Sequence, residues 1–357
     1  MSVSTPARHL LQPRRLPKLL SIVIPIYNEE EALPFLRKRL TTFVDGLASR
    51  TEILLVNDGS SDESVGLLVE WANADSRVRV FNLARNFGQQ AAVTAGLDQS
   101  AGDAVAVMDA DLQDPPEVVS AMLDEYCKGY DVVYGRRISR AGESAFKRIS
   151  AWIFYRAMRG LVHQELPADA GDFRLVSRPC LDAVLSMRET HRFLRGMIAW
   201  VGFPVTFVSY ARDIRAAGQT KYPLRKMLHL AWTAAVSFSP IPLRVSFWLG
   251  FLIAATGMIE AANAVFRSML GRYVPEWSSV IAVTCLVGGS ILISIGMLGE
   301  YVGRIFEAIK GRPLYLIASR VTREEKVTTA PVYEKDPVQQ QLAVLSGAIE
   351  KAIVRDR

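Results

Sequence analysis

The chain is poor in cysteine. Three occur in 357 residues, Cys127, Cys180 and Cys285, with no CxxC pair. So scattered and odd a set argues against a disulfide framework and fits a reducing compartment. Histidine is also scarce, and His163, His191 and His229 stand at no metal-ligand spacing, so they read as structural. No GxGxxG opens a helix after the first strand and no GxxxxGK[ST] exists, which removes dinucleotide oxidoreduction and P-loop chemistry. The formal net charge is +6, yet no compact basic cluster with interleaved aromatics appears, so nucleic acid is not the expected partner. The first 18 residues are rich in Pro and Arg and lack a continuous apolar stretch. They form a basic lead-in, disordered or loosely docked, and not a secretory signal.

What the chain has in surplus is apolar residues. They make up 50% of it beside 22% charged residues, and the mean hydropathy is +0.16. The surplus is concentrated late, the mark of a soluble domain joined to membrane spans. Arginines gather near those spans, so anionic lipid head groups are the expected basic-face partner.

Before the spans, apolar β-branched runs alternate with helical periodicity. Leu19 to Ile26 predicts a strand, about Glu30 to Leu47 a helix, Glu52 to Val56 a strand, and a helix to about Ala74 is capped by Ser61 or Asp62. Val78 to Leu83, an Ala-rich helix to Gln99, Ala104 to Met108, a helix from Pro116 to Lys128 and a strand Asp131 to Gly135 continue the series. Short links between alternating strands and helices mean an α/β fold with a doubly wound, mostly parallel sheet. Polar loops follow three of the strands, at Tyr27-Asn28-Glu29, Asn57-Asp58-Gly59 and Asp109 to Gln113. In a parallel sheet those ends share one edge and converge on one cleft.

The run Asp109-Ala110-Asp111-Leu112-Gln113-Asp114-Pro115-Pro116 organises the rest. If its backbone stays extended, oxygens of Asp109, Asp111 and Gln113 project from one face and share a hard divalent cation, Mg²⁺ or Mn²⁺. Asp114 would cap the helix that the two prolines open.

After Arg136-Arg137 the alternation stops. Ser144 to Val162 carries a helical apolar stripe beside Lys147 and Arg148, and further helices are expected around Pro179 to Met187 and Arg192 to Val201. Pro204 to Tyr210 is strand-like. Leu224 to Phe238 is amphipathic and suits a helix at a bilayer surface. Val245 to Phe266 is broken only by Glu260, and Trp277 to Gly299 holds no charge. At ~1.5 Å per residue, about 22 residues rise roughly 33 Å, enough for a hydrocarbon core of about 30 Å. Cations flank the pair, Arg225, Lys226 and Arg244 before it and Arg304, Lys310, Arg312 and Arg320 after it. The connecting loop has only Arg267 and Arg272, so both termini are expected in the cytoplasm. The expected division is a lead-in over 1–18, a catalytic domain over 19–223 and an amphipathic juxtamembrane segment over 224–242. A transmembrane hairpin over 243–303 follows, with spans at about 245–266 and 277–299, and then a cytoplasmic tail over 304–357 whose fold is not legible.

Taken together these motifs resemble inverting glycosyltransferase family 2, of the GT-A fold. More narrowly they resemble the bacterial polyprenyl-phosphate glycosyltransferases related to dolichyl-phosphate mannose synthase, and among those the bactoprenol glucosyltransferases. The resembling text is Ile24 to Glu30, Asn57 to Asp62, Asn86-Phe87-Gly88-Gln89, Asp109 to Pro116, Gly171-Asp172-Phe173-Arg174-Leu175, Arg192 to Gly196 and Gly218 to Tyr222. The resemblance implies that Pro25, Tyr27, Glu29 and Asp58 hold the nucleoside and that Asp109 meets the ribose or the metal. Asp111 and Gln113 would ligate the metal on the diphosphate, and Asp172 takes the place of the proposed base. Arg215 and Lys221, with Arg136 or Arg137 and Lys147 or Arg148, would meet the lipid phosphate. It further implies a UDP-sugar donor, a membrane-bound polyprenyl phosphate acceptor at the inner membrane, and a homo-oligomer, with a tetramer as the candidate state. The QxxRW motif of processive polysaccharide synthases is missing from Arg192 to Trp200. A scaffold with a decayed transferase domain is the non-enzyme alternative, and the intact acidic run speaks against it.

Overall fold

The computed structural model describes residues 11–137, 170–189, 192–211, 241–270 and 277–323. They belong to two units. The first combines the chain up to residue 221, apart from 148–163, with the residues from 311 onward; the second holds two long helices.

In the first unit β1 (Leu19–Ile26), α1 (Leu33–Asp45), β2 (Arg50–Asn57), α2 (Ser64–Ala74), β3 (Val78–Leu83), α3 (Gln89–Gln99), β4 (Ala104–Val107) and α4 (Val118–Cys127) alternate as the periodicity predicts. β5 (Val132–Arg137), β6 (Ala170–Ser177), α5 (Arg178–Ser186), α6 (Leu194–Trp200), β7 (Val205–Tyr210) and β8 (Ile317–Val321) complete it. The strands form one eight-stranded sheet in the order β7-β5-β6-β4-β1-β2-β3-β8. The block β4-β1-β2-β3 is parallel throughout, as is β5 with β7. β6 enters antiparallel between β4 and β5, and β8 lies antiparallel on β3, so the sheet is mixed.

The central strands are apolar on both faces because helices cover both. Ile22, Ile24 and Ile26 pack with Leu36, Leu40 and Trp71 on the side of α1, α2 and α4. Val23, Val56 and Val107 pack with Val93, Cys180 and Met197 on the side of α3, α5 and α6. α3 lies directly on the sheet at Gly96, where a Cβ would fall 2.3 Å from a methyl of Val23 and 3.1 Å from one of Val56.

Two features fill in what the sequence reading left open. The described part of the lead-in is docked: the amide of Arg14 donates to the Cys127 carbonyl at 2.9 Å, and its guanidinium pairs with Asp131 at 2.9 Å and lies over the Tyr126 ring. The tail holds a strand. Beyond the second long helix, Ala84 donates to the carbonyl of Leu316 at 2.8 Å and the Asn82 amide to the Ser319 hydroxyl at 3.0 Å. β8 thereby covers the β3 edge, which would otherwise offer unpaired backbone groups.

The second unit is a pair of helices, α7 (Ile241–Met269, 29 residues) and α8 (Trp277–Ile309, 33 residues). A hydrogen bond of 2.9 Å between the hydroxyls of Ser246 and Ser294 ties one to the other. Phe247, Trp248, Phe251, Leu252, Leu292 and Phe306 are exposed. Among the described residues one stretch, Leu286–Glu307, is long and apolar enough to cross a membrane, and the apolar stretch of α7, Ser246–Ile259, is shorter. Both helices run past the expected span ends. The expected helices at Ser144 to Val162 and Leu224 to Phe238 lie outside the described residues.

Candidate active site

The loops after β1, β2 and β3 are stitched to one another. Asn28, in the left-handed region at φ 53°, donates its amide to the Ser60 hydroxyl at 3.0 Å, and its side chain accepts from the Ser61 amide at 2.8 Å. The Glu29 amide donates to the Ser64 hydroxyl, Glu30 to the Asp62 carboxylate, and Glu63 back to the Glu30 carboxylate. This lacing explains why α1 begins at Leu33 rather than near Glu30 and why Asp62 works from before the helix, its carboxylate accepting from the Ser64 amide at 3.1 Å. Partial burial opposes ionisation of Asp62, and its hydrogen bonds to Ser64 and Glu30 outweigh it and hold the carboxyl below its usual range.

Asp58 is buried, with one carboxylate oxygen 2.7 Å from the Phe87 amide and the other 2.9 Å from the Gly88 amide. Burial raises its pKa despite those two donors and the nearby Arg85. It is a bolt between the β2 and β3 loops. Gly59 makes this approach possible: at φ +68° its Cβ would lie 2.7 Å from backbone atoms of Arg85 and Asn86. Pro25 lies in β1 beyond the last β1–β4 pair, Val23 with Val107, where its lack of an N–H costs no ladder bond. Tyr27 is half exposed.

The acidic run is not extended. Leu112 is buried in the core and takes φ 57°, a conformation that costs a leucine ~1–2 kcal/mol. The resulting turn lets Asp111 accept from the Gln113 amide at 3.1 Å. Asp109, Asp111 and Gln113 are therefore gathered by a turn rather than aligned on one strand face. Gln89, at the start of α3, donates its side-chain amide to Asp109 at 3.0 Å. Burial, followed by the charges of Asp172, Asp114 and Asp111, pushes the Asp109 carboxyl up to about 7, with Arg137 opposing.

That surplus of negative charge is what a bound divalent cation would relieve. Among the described residues no group of three or more His, Cys, Asp or Glu is arranged around a metal position. Such a set is not required here. Mg²⁺ is held by one or two carboxylates together with substrate phosphates, and Asp109 and Asp111, with the Gln113 amide, fit that donor set.

Asp114 does not cap α4. Pro115 and Pro116 accept from Val118 and Val119 in turns that delay the helix, so Glu117 occupies the cap position without a side-chain capping bond. Asp114 is instead buried, with Arg137 at 3.0 Å and the Tyr210 hydroxyl as donors. Arg137 is thus turned inward, while Arg136 is exposed with its guanidinium 4.1 Å from the Phe207 ring centroid. The structure separates two arginines that the sequence left as alternatives. Lys147, Arg148, Arg215 and Lys221 lie outside the described residues.

Asp172 arrives by an antiparallel register. Val107 pairs with Arg174 as the last β4–β6 pair, and Asp109, two residues beyond it, lies near enough to Asp172 to feel its charge. The carboxylate of Asp172 accepts from Arg195 Nε at 3.1 Å and lies 3.8 Å from Arg174 Nη1. Burial would raise its pKa, but Arg195, Arg174 and Arg137 outweigh it and keep the group ionised. Arg174 is 1% exposed, and among the described residues none of its guanidinium nitrogens has a hydrogen-bond partner. Tyr134, its register partner on β5, is also fully buried, its hydroxyl without a hydrogen-bond partner among the described residues and pushed up to about 12 by burial. The sequence reading missed Arg174, Arg195, Gln89 and Tyr134 as site residues. The signal for Arg174 was an arginine set among Phe173, Leu175 and Val176 in a strand buried from Phe173 to Ser177.

The chain matches Glycosyl transferase family 2 over residues 21–185 and the GtrB C-terminal hairpin over residues 241–305. It is 41% identical over 307 residues to the uncharacterized glycosyltransferase YkcC of Bacillus subtilis, covering 86% of this chain and 95% of that one. It is 36% identical over 302 residues to the bactoprenol glucosyl transferase of Shigella phage SfX, covering 84% and 99%. A glucosyl-3-phosphoglycerate synthase of Mycobacterium tuberculosis overlays on 62% of this chain and 78% of its own at 18% identity, with a TM-score of 0.43. Identities of 41% and 36% over 86% and 84% of this chain settle the kinship. The chain belongs to glycosyl transferase family 2, in the branch that carries the GtrB C-terminal hairpin.

Proposed function

We propose that the protein transfers a sugar, glucose from UDP-glucose, to undecaprenyl phosphate or a related polyprenyl phosphate, with inversion at the anomeric carbon. The observation that carries this reading is the closeness of Asp109 and Asp172, whose charges interact just beyond the last β4–β6 pair, together with a loop bolted by Asp58. Relatives named bactoprenol glucosyl transferase, matched along nearly their whole length, support the acceptor class.

In the reaction the bond between the anomeric carbon and the diphosphate oxygen breaks, and a phosphate oxygen of the lipid takes its place. Pro25, Tyr27, Glu29 and Asp58 bound the nucleoside end of the cleft. Asp109, Asp111 and Gln113 would hold Mg²⁺ or Mn²⁺. When bound, that ion supplies Lewis-acid stabilisation of the departing diphosphate. The attacking phosphate monoester has a second pKa of about 6 and is already ionised near pH 7. It needs orientation rather than deprotonation, and Asp172, held ionised by arginines, is suited to orienting. Arg136, with Lys147 or Arg148, Arg215 and Lys221, would bind the acceptor phosphate, arginine offering two parallel donors. The hairpin would cross the inner membrane with both termini cytoplasmic and keep the cleft at the height of the lipid head group. Assembly as a homo-oligomer, a tetramer, belongs to the same reading.

The test is a screen of UDP- and GDP-sugars with undecaprenyl phosphate, with products read by mass. A glucosyl-phospholipid product supports the proposal. An aminoarabinose, galactose, N-acetylhexosamine or mannose product would replace the sugar. The absence of any lipid product, with donor hydrolysis also absent, would leave a non-catalytic membrane scaffold.

A further inference from the structure

Asp172 stands between two arginines that come from different directions. Arg174 is its neighbour on β6, buried at 1% exposure and, among the described residues, without a hydrogen-bond partner. Arg195 is brought from α6, and its Nε donates to Asp172 at 3.1 Å. α6 is fixed at that spot. Leu194, Met197 and Ile198 are buried against the sheet, and the Leu194 amide, at the helix start, donates to the Gln90 side chain at 3.3 Å. Gln90 adjoins Gln89, which binds Asp109. One turn of α3 therefore sets both carboxylates, Asp109 directly and Asp172 through α6 and Arg195.

We propose that Arg195 is a positioning residue for glycosyl transfer, holding Asp172 as a fixed anion near Asp109 rather than as a proton acceptor. Arg174 supplies the permanent counter-charge behind it. A carboxylate whose charge is already matched by guanidinium groups is a weak base, yet it is well placed to accept from a sugar hydroxyl or to face positive charge developing at the anomeric carbon. Arginine suits the task because its planar fork fixes an orientation that a lysine ammonium does not. The inference rests on the transfer reading above.

The test uses the full chain in vesicles containing polyprenyl phosphate. Arg195→Ala should lower kcat by about 100-fold, the order expected for a small misplacement of a reacting group, with KM for the UDP-sugar unchanged. Added guanidinium should restore part of the lost turnover saturably, which a merely structural defect would not allow. Arg195→Lys keeps the charge and should melt like the wild type while remaining slow. Turnover of Arg195→Ala near the wild-type value would overturn the proposal. So would a parallel loss of donor affinity, or a melting loss with no response to guanidinium. Variant-to-wild-type ratios are taken on UDP-sugar consumption, donor hydrolysis included, with whichever sugar the wild type uses. A wild type that makes no polyprenyl product thus refutes the acceptor assignment without deciding the role of Arg195.

Discussion

The hydroxyl of Tyr315 donates to the carboxylate of Asp98 at 2.7 Å, joining the segment after the second long helix to the end of α3. Asp98 also receives Arg188 from the α5–α6 link at 2.9 Å. One carboxylate thus gathers three parts of the catalytic unit, next to the strand that covers the β3 edge. Tyr315→Phe should cost about 1 kcal/mol, the usual worth of a hydrogen bond. Asp98→Ala should cost more, because it also removes the ion pair with Arg188. Thermal melting checks the order. Equal effects would mean that Arg188 contributes nothing through Asp98.

Asp111→Asn should abolish turnover and leave the fold intact. The amide oxygen can still accept from the Gln113 amide, so the turn at Leu112 survives, but an amide offers a cation no charge. Product formation at saturating Mn²⁺, run beside thermal melting, decides it. A folded variant with normal turnover would remove Asp111 from the metal site.

Arg136 and Arg137 are adjacent in sequence and opposite in consequence. Asp114 is 1% exposed, and its ion pair with Arg137 is shared with Tyr210. Removing one partner of a buried pair costs ~3–5 kcal/mol, a figure to be discounted here because Arg137 is a third exposed. Arg137→Ala should therefore melt early. Arg136→Ala should melt normally and raise KM for the lipid phosphate while donor affinity measured by calorimetry stays constant. If Arg136→Ala lost donor and acceptor equally, it would not be an acceptor residue.

The sequence made the first four strand–helix pairs legible because their signals are local: apolar runs, helical periodicity and a Gly-Ser-Ser-Asp turn within a few residues. The acidic run and the long apolar helices were legible for the same reason. What it hid depends on pairing at a distance. β6 joins β4 and β5 antiparallel after a long excursion, so nothing near Asp172 announces that it lies near Asp109 or meets Arg195 from another helix. Asp114 looked like a cap, and only the turns made by Pro115 and Pro116 show that it sits too early for one. β8 is short, with the polar Ser319 and Arg320 among its five residues, and becomes a strand only because β3 offers an edge.

That last strand changes how the role of the hairpin must be tested. If α7 and α8 serve to hold the cleft near its lipid, their loss should spare chemistry and donor binding. Truncating the chain before α7 would not show this, because it would also strip β8 from β3. Val80 and Phe81, which pair with Val321 and Arg320, would then lie on a bare edge prone to aggregation. The informative variant replaces residues 241–310 with a flexible linker and keeps Gly311 to Arg323, so that β8 can still pair. It should bind UDP-sugar as the wild type does, since the expected donor residues, Pro25 to Gln113, all precede α7. It should transfer poorly to full-length polyprenyl phosphate in vesicles, because the local concentration that a shared membrane provides is gone. Transfer to a short, soluble polyprenyl phosphate should fall much less. If both acceptors failed equally while donor binding and the melting temperature survived, the helices would be shaping the acceptor site itself, and anchoring would be the wrong account of them.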